Sequence, residues 1–176
     1  TQPNKKNQIE ELLKLLKIQY KSFDIYHQAF THSSYCARQE QKSNQRLEFL
    51  GDSVLSICIS EYVYHNFPDL PEGKLTKIRS FIVSEKSLAA FARAIHLETC
   101  LLLGQGEENT GGRTRDANLA DAFEAFLGAI FLDKGVEEVK NFLIPLFKPE
   151  IERVRREDFI SDYKTEVQYL IQKKYK

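Results

Sequence analysis

The sequence lacks tryptophan, methionine and any net charge. Its 25 basic and 25 acidic residues cancel, so the large positive charge of many nucleic-acid-binding proteins is absent. A nucleic-acid-binding surface would therefore have to arise from the positions of the charged residues and not from the net charge. No apolar run approaches the roughly 18 residues of a membrane span. The lysine-rich start is followed by an amphipathic segment rather than a signal-peptide core, so we expect a soluble protein without a membrane partner.

Cysteine is scarce as well. Cys36, Cys58 and Cys100 are odd in number and show no paired spacing, which argues against a disulfide framework. Cys58 lies in an apolar run, where a free thiol behaves as a small hydrophobic side chain. We therefore expect a reducing compartment, the cytoplasm. Because there is no initiator Met and a helical pattern still runs at Lys176, we also expect the chain to be part of a longer protein.

Apolar side chains at helical spacing are abundant. The 176 residues are 42% hydrophobic, enough to bury one core of ordinary size. Residues 46–67 form an apolar run that is too long for a strand, since strands average about five or six residues. This run predicts a buried central helix. Residues 118–132 predict a second buried helix, whose end is marked by Gly135.

Shorter helices complete the predicted fold. Helical periodicity indicates helices at residues 9–16, 26–31, 75–81, 84–95 and 136–147. Ser84 and Ser87 suit the start of one helix, and Pro149 follows the end of the last. Residues 38–43 and the glycine-rich residues 104–115 are predicted to be loops. There is little period-2 alternation, so the fold class is all-α, in one compact domain.

Each of the two buried helices carries a pair of acidic residues. Glu48 and Asp52 are four residues apart, and Asp121 and Glu124 are three apart, so each pair shares one helix face. Unpaired carboxylates in such apolar helices are costly, and we expect a cation to neutralise them. Alanines and Gly128 would let the helices approach and gather all four acids. Without nearby His or Cys ligands, this oxygen cluster suits Mg²⁺ better than zinc.

The same residues also have simpler interpretations. An acidic pair on a helix is more often a solvated surface, and an aromatic such as Phe49 is more often part of the core. His32 by itself is better explained as a structural histidine than as a base or ligand. Lys77 and Arg79 are candidate contacts to phosphates through their charge, yet either could instead pair with a neighbouring glutamate.

The segment Arg46-Leu-Glu-Phe-Leu-Gly-Asp-Ser-Val-Leu55 resembles the signature of the ribonuclease III family. Residues 31–35, 72–79 and 120–125 resemble the family's segments before and after that signature and its second catalytic helix. This resemblance implies the helical ribonuclease III endonuclease domain fold in a homodimer. It also implies an endoribonuclease that hydrolyses double-stranded RNA by a divalent-metal-dependent mechanism, in the processing and decay of rRNA and mRNA precursors.

Carried over by position, the resemblance assigns roles to individual residues. Glu48, Asp52, Asp121 and Glu124 would be metal ligands, with Asp52 and Glu124 also catalytic. Mg²⁺ would be the cofactor, and Mn²⁺ would substitute for it. Phe49 matches an aromatic that family members insert into a pocket of the partner subunit. Each subunit would cut one strand, leaving 5′ phosphates and short 3′ overhangs.

The resemblance also divides the chain. Residues 1–157 would form the catalytic domain, and residues 158–176 a linker and the first helix of a truncated double-stranded RNA-binding domain. Residues 162–165 and Gln168 resemble the start of that domain, where Gln168 would contact the RNA minor groove. Gln45 departs from the family, in which many members have glutamate. The change removes one negative charge but leaves the four central acids, so we expect activity to survive.

Two other functions remain open from the sequence. One is a binding module of the same fold that holds structured RNA or a ribosomal partner without cutting RNA. The other is a purely structural helical dimer. The presence of all four acids favours the enzyme.

Overall fold

The described part of the chain is almost entirely helical. The computed structural model describes the backbone of residues 4–36 and 42–174, with the side chains of these residues as far as 157. Over this part of the chain no strand forms, and one isolated bridge joins Thr31 to Leu102. The all-α prediction is therefore confirmed. The helices are α1 (Lys5–Leu15), α2 (Phe23–Ala29), α3 (Ser33–Cys36), α4 (Gln45–Asn66), α5 (Glu72–Ile82), α6 (Glu85–Ala94), α7 (Gln105–Asn109), α8 (Asp116–Lys134) and α9 (Val136–Lys174).

The two helices predicted to be buried, α4 and α8, pack against each other at the centre of the fold. Buried residues of α8 lie all around its axis, which is typical of a helix enclosed by its neighbours. As predicted, α8 ends at Gly135, whose φ of 89° favours glycine. The largest fully buried side chains around this pair are aromatic: Tyr26, Phe30, Phe123, Phe126 and Phe147.

Two glycines bring the backbones of α4 and α8 into contact. A Cβ atom on Gly51 would overlap the backbone carbonyl of Glu124, and a Cβ atom on Gly128 would overlap the backbone carbonyl of Leu47. Protein interiors are packed too densely to absorb such overlaps without movement of the helices. The close crossing therefore requires glycine at both positions.

The last helix runs farther than the sequence predicts. We expected it to stop before Pro149, because proline removes a backbone donor and crowds the preceding turn. Instead α9 includes Pro145 and Pro149 and continues to Lys174. Burial of each large apolar side chain contributes about 1.5–3 kcal/mol, which together offsets the roughly 3 kcal/mol cost of each proline. The buried stripe that continues through both prolines consists of Leu143, Phe147, Ile151 and Val154.

Other boundaries differ in smaller ways. Helix α2 is shifted toward the N-terminus relative to the predicted helix 26–31. The predicted loop 104–115 contains α7 and a short 3-10 turn at Gly112–Thr114, because long-range hydrogen bonds that periodicity cannot reveal organise it. The predicted start of α6 is confirmed, since the Ser84 hydroxyl accepts a hydrogen bond from the Ser87 amide at 3.4 Å. Among the described helices, none is both long and apolar enough to cross a membrane.

The glycine contact leads to a stability prediction. Replacing Gly51 or Gly128 with alanine is expected to lower the free energy of unfolding by about 1–3 kcal/mol or more, because the new methyl group separates the helices. Urea denaturation followed by circular dichroism measures this change. The matched control is Gly73→Ala on α5, where a Cβ meets nothing within 4 Å. That variant should be neutral or up to about 1 kcal/mol more stable; equal losses in all three variants would contradict the prediction.

Candidate active site

Three carboxylates meet where α4 crosses α8. Glu48 lies on α4 one turn before Gly51, while Asp121 and Glu124 lie on α8 in the two turns before Gly128. One carboxylate oxygen from each of the three residues lies within 4.8 Å of the other two. We call these three residues the carboxylate cluster. Because the two backbones touch at the glycines, acids on both helices are brought together.

Asp52 lies beside this cluster without joining it. It is exposed on α4, one turn after Glu48. The oxygens that lie within 4.8 Å of one another belong to the other three acids. The negative charge of Asp52 nevertheless helps to raise the pKa values of Glu48 and Glu124. The structure thus brings three of the four predicted acids together and leaves the fourth at their edge.

The cluster is electrostatically unfavourable when it has no cation. Burial is the main cause that raises the pKa of Glu124 to about 8, and the charges of Asp52, Asp121 and Glu48 add to it. Burial also raises the pKa of Glu48, with further contributions from Asp121 and Asp52. The charges that raise the pKa of Glu124 thus belong to three other carboxylates. At neutral pH the site needs either a bound proton or a bound cation.

The donor set fits a hard divalent cation. All three ligand candidates offer oxygen, and magnesium prefers oxygen ligands while keeping several of its waters. Partial burial of Glu48, Asp121 and Glu124 leaves one side of the cluster open for such waters and for a substrate. Magnesium in enzymes that act on phosphates is held by one or two carboxylates together with waters and substrate phosphates, and the cluster supplies at least that number of carboxylates.

Two residues near Asp121 were not predicted as part of the site. Burial raises the pKa of Asp121, His32 opposes that rise, and Glu85 adds to it. From the sequence, only a structural role is predicted for His32, and in the structure its Nδ1 lies 2.7 Å from the Ser34 hydroxyl. Glu85 carried no sequence signal, because only the packing of α6 against α8 brings it near the site.

The other predicted site residues lie outside the cluster. Phe49 is 79% exposed on α4. Lys77 and Arg79 lie on α5, and Arg79 donates a 3.1 Å hydrogen bond to the Ser60 hydroxyl. Gln168 falls in the part of α9 whose side chains are outside the described residues. Its role and the division of the chain at residue 158 therefore stay predictions.

The comparisons with known proteins all point to one family. The ribonuclease-III-like family profile matches residues 22–150, which include the whole cluster. A protein from Listeria monocytogenes named Ribonuclease 3 is 45% identical over 170 residues, covering 95% of this chain and 74% of that relative. Another protein of that name, from Borreliella burgdorferi, is 45% identical over 174 residues, covering 98% of this chain and 71% of the relative.

Solved structures agree with this match. The nuclease domain of ribonuclease III from Campylobacter jejuni superposes with a TM-score of 0.75 at 38% identity, covering 80% of this chain and 96% of that one. That structure is described as showing structural flexibility in a region involved in dimer formation. A more distant neighbour is Dicer from Pichia stipitis, with a TM-score of 0.59 and 29% identity over 78% of this chain and 59% of that one.

The raised pKa of Glu124 predicts a pH-dependent stability without metal. Between the ordinary glutamate pKa of 4.5 and the folded-state value of about 8, the folded protein binds a proton that the unfolded protein lacks. Stability contributed by Glu124 therefore falls as pH rises through this window. Glu124→Gln removes the effect, so the variant should become more stable than the wild type by about 1–3 kcal/mol at pH 9, after allowance for solvent screening.

Chemical denaturation in a chelator at pH 5 and pH 9 measures this difference. At pH 5 the two proteins should be similar, since a proton neutralises Glu124 in the wild type. The control is Glu11→Gln, which changes an exposed glutamate on α1 and should leave the pH dependence unaltered. A wild type and a Glu124→Gln variant that keep the same stability difference at both pH values would contradict the prediction.

Proposed function

The chain belongs to the ribonuclease III family of endoribonucleases, and we propose that it hydrolyses double-stranded RNA at the carboxylate cluster with bound Mg²⁺. The observation that carries the proposal is the meeting of Glu48, Asp121 and Glu124 within 4.8 Å at the α4–α8 crossing. Mn²⁺ would substitute for Mg²⁺, since both accept the same oxygen ligands. The alternative of a binding module with no reaction makes no use of such a cluster.

The residues of the cluster have separate parts in this proposal. Glu48, Asp121 and Glu124 would hold the metal, and Asp52 would complete the ligand set by turning inward from its exposed position. A bound divalent ion supplies a water of lowered pKa and stabilises negative charge on the attacked phosphate. The α4–α8 crossing fixes where the acids point, and the burial of Glu124 keeps bulk water away from one side of the site. No side chain has to act as a nucleophile.

A homodimer is part of the proposal. Phe49, Ile57 and Tyr64 are large, exposed side chains on α4, with exposures of 79%, 59% and 67%. Their spacing of seven or eight residues places them along one side of the helix, and contiguous exposed apolar surfaces of this kind are typical of protein interfaces. Two subunits joined there would each cut one strand. The products would be 5′ phosphates with short 3′ overhangs.

The remaining parts of the proposal concern RNA contacts and location. Lys77, Arg79 and Gln168 are proposed to contact RNA, with residues 1–157 as the catalytic domain and residues 158–176 as the start of an RNA-binding domain. The three cysteines are free thiols, and two of them are buried. Free thiols suit a reducing compartment, which supports the cytoplasm as the place where the enzyme processes rRNA and mRNA precursors.

A cleavage assay tests the reaction. With a long RNA duplex and Mg²⁺, the wild type should produce short fragments, and Glu124→Gln should cut at least about 100-fold more slowly because a ligand for the metal is lost. Replacing Mg²⁺ with Ca²⁺ should abolish cutting, since Ca²⁺ has a larger and less ordered ligand shell. Glu11→Gln is the control and should cut at the wild-type rate. Duplex binding by the wild type with no Mg²⁺-dependent product would favour the binding module.

The proposed dimer surface can be tested separately. Phe49→Ser and Ile57→Ser should each weaken the dimer, because apolar area would no longer be buried between subunits. Sedimentation equilibrium over a range of protein concentrations should show a rise of at least about tenfold in the dimer dissociation constant. Leu15→Ser is the matched control, since Leu15 is 68% exposed on α1. Unchanged dimerisation in both α4 variants, or a monomeric wild type, would reject this interface.

A further inference from the structure

A buried amide lies at the start of α8. Asn118 is 8% exposed and is one of the few buried polar side chains among the described residues. Its Nδ2 donates hydrogen bonds to the Glu107 carboxylate at 2.8 Å and to the Gly112 carbonyl at 2.9 Å. Both acceptors belong to the segment of residues 104–115. The side chain of Asn118 thus ties that segment to the first turn of α8.

Local helix formation does not explain this residue. Asparagine is a weaker helix former than alanine, and α8 has no side-chain hydrogen bond at its N-cap residue, Arg115. Burial of an amide is tolerated only because both of its donors are satisfied. Asparagine at position 118 is therefore stabilised by contacts with residues outside α8.

Those contacts converge on one carboxylate. Oε1 of Glu107 accepts from Asn118 and also from Arg115. The hydrogen bond from Asn118 is the main cause that lowers the pKa of Glu107, with Arg115 and His32 contributing. The side chain of Glu107 also lies against Gly112, where an added Cβ would stand 2.5 Å from it. Glu107 is consequently held in one place as a charged group.

The clamped segment lies close to the carboxylate cluster. The charge of His32 lowers the pKa values of both Glu107 and Asp121. The ring is itself fixed to residues 104–115, because the Ser34 hydroxyl that contacts its Nδ1 accepts from the Gly104 amide at 3.0 Å. Asp121 follows Asn118 by one helical turn. A movement of Asn118 would therefore also displace Asp121.

We propose that Asn118 is a positioning residue, which fixes Asp121 within the carboxylate cluster by clamping Glu107 and Gly112 against the first turn of α8. It touches neither substrate nor metal and acts through the placement of α8. The inference rests on the proposed function of the cluster as a divalent-metal site. Losing the clamp lets α8 shift at its start, which displaces Asp121 relative to Glu48 on α4.

A Mg²⁺ titration followed by calorimetry, with thermal unfolding in parallel, tests the proposal. Asn118→Ala should raise the Mg²⁺ dissociation constant about three- to tenfold, less than the roughly 10–100-fold expected for direct partners of metal ligands. Asn109→Ala is the matched control. Asn109 is an exposed asparagine of α7 whose side chain contacts only its neighbour Gln105 by a described hydrogen bond, and its removal should leave the constant unchanged.

A double-variant cycle isolates the clamp. Glu107→Ala should raise the constant in the same direction as Asn118→Ala, and the double variant should shift it by less than the product of the two single shifts, because both changes break the Asn118–Glu107 hydrogen bond. Glu107→Ala also leaves α8 intact, so it carries the test if Asn118→Ala does not fold. A lowered melting temperature with unchanged Mg²⁺ affinity would show a merely structural role and overturn the proposal, as would shifts that multiply in the double variant.

The titration also separates this inference from the proposed function. A wild type that binds Mg²⁺ without cutting RNA would reject the nuclease proposal, while the clamp would still be judged by the shifts in affinity. A wild type that binds no Mg²⁺ would reject both. Normal cutting and Mg²⁺ affinity in Asn118→Ala would reject the clamp alone.

Discussion

The backbone contact between Gly51 and Gly128 is the constraint on which the rest of the structure depends. Without side chains at these two positions, α4 and α8 approach closely enough for acids on one helix to reach acids on the other. Like charges at this distance repel, and the apolar core packed around the two helices opposes this repulsion. Fully buried residues such as Leu55 and Phe123 line the same pair of helices, so their burial offsets the repulsion.

Much of this arrangement is visible in the sequence, for identifiable reasons. The long apolar runs predicted α4 and α8, because an apolar run longer than a strand indicates a helix without reference to distant residues. In the structure α8 is enclosed by its neighbours, whereas α4 keeps an exposed apolar face. The acid spacings then predicted the cluster. The rest depends on contacts between remote segments. Pro149 suggested a helix end that tertiary packing overrides, and the approach of Glu85 to Asp121 requires the packing of α6 against α8.

The ordered conformation of residues 104–115 also results from contacts between remote segments. Glycines and charges suggested a flexible loop, yet Arg113 donates to Glu108 and to the carbonyl groups of Glu98 and Leu101. The Glu98 carbonyl also accepts from the Leu101 amide at 3.4 Å, so Arg113 adds a second donor there. Sequence reasoning cannot assign such hydrogen bonds, because their partners become neighbours only after the helices have packed. Polar side chains in this segment therefore act as a second scaffold, beside the apolar core, for the start of α8.

Helix α4 joins the site to the outer surface of the molecule. Successive residues of an α-helix point about 100° apart, so Glu48 and Phe49 face different neighbours although they are adjacent in sequence. Glu48 points toward α8 and the cluster, while Phe49 points to solvent. Because Phe49 follows Glu48 directly in sequence, a subunit packed on Phe49 would lie beside the helix segment that carries Glu48. Helix α4 therefore combines a face packed in the core, a face that places Glu48 in the carboxylate cluster, and an exposed apolar face that carries Phe49.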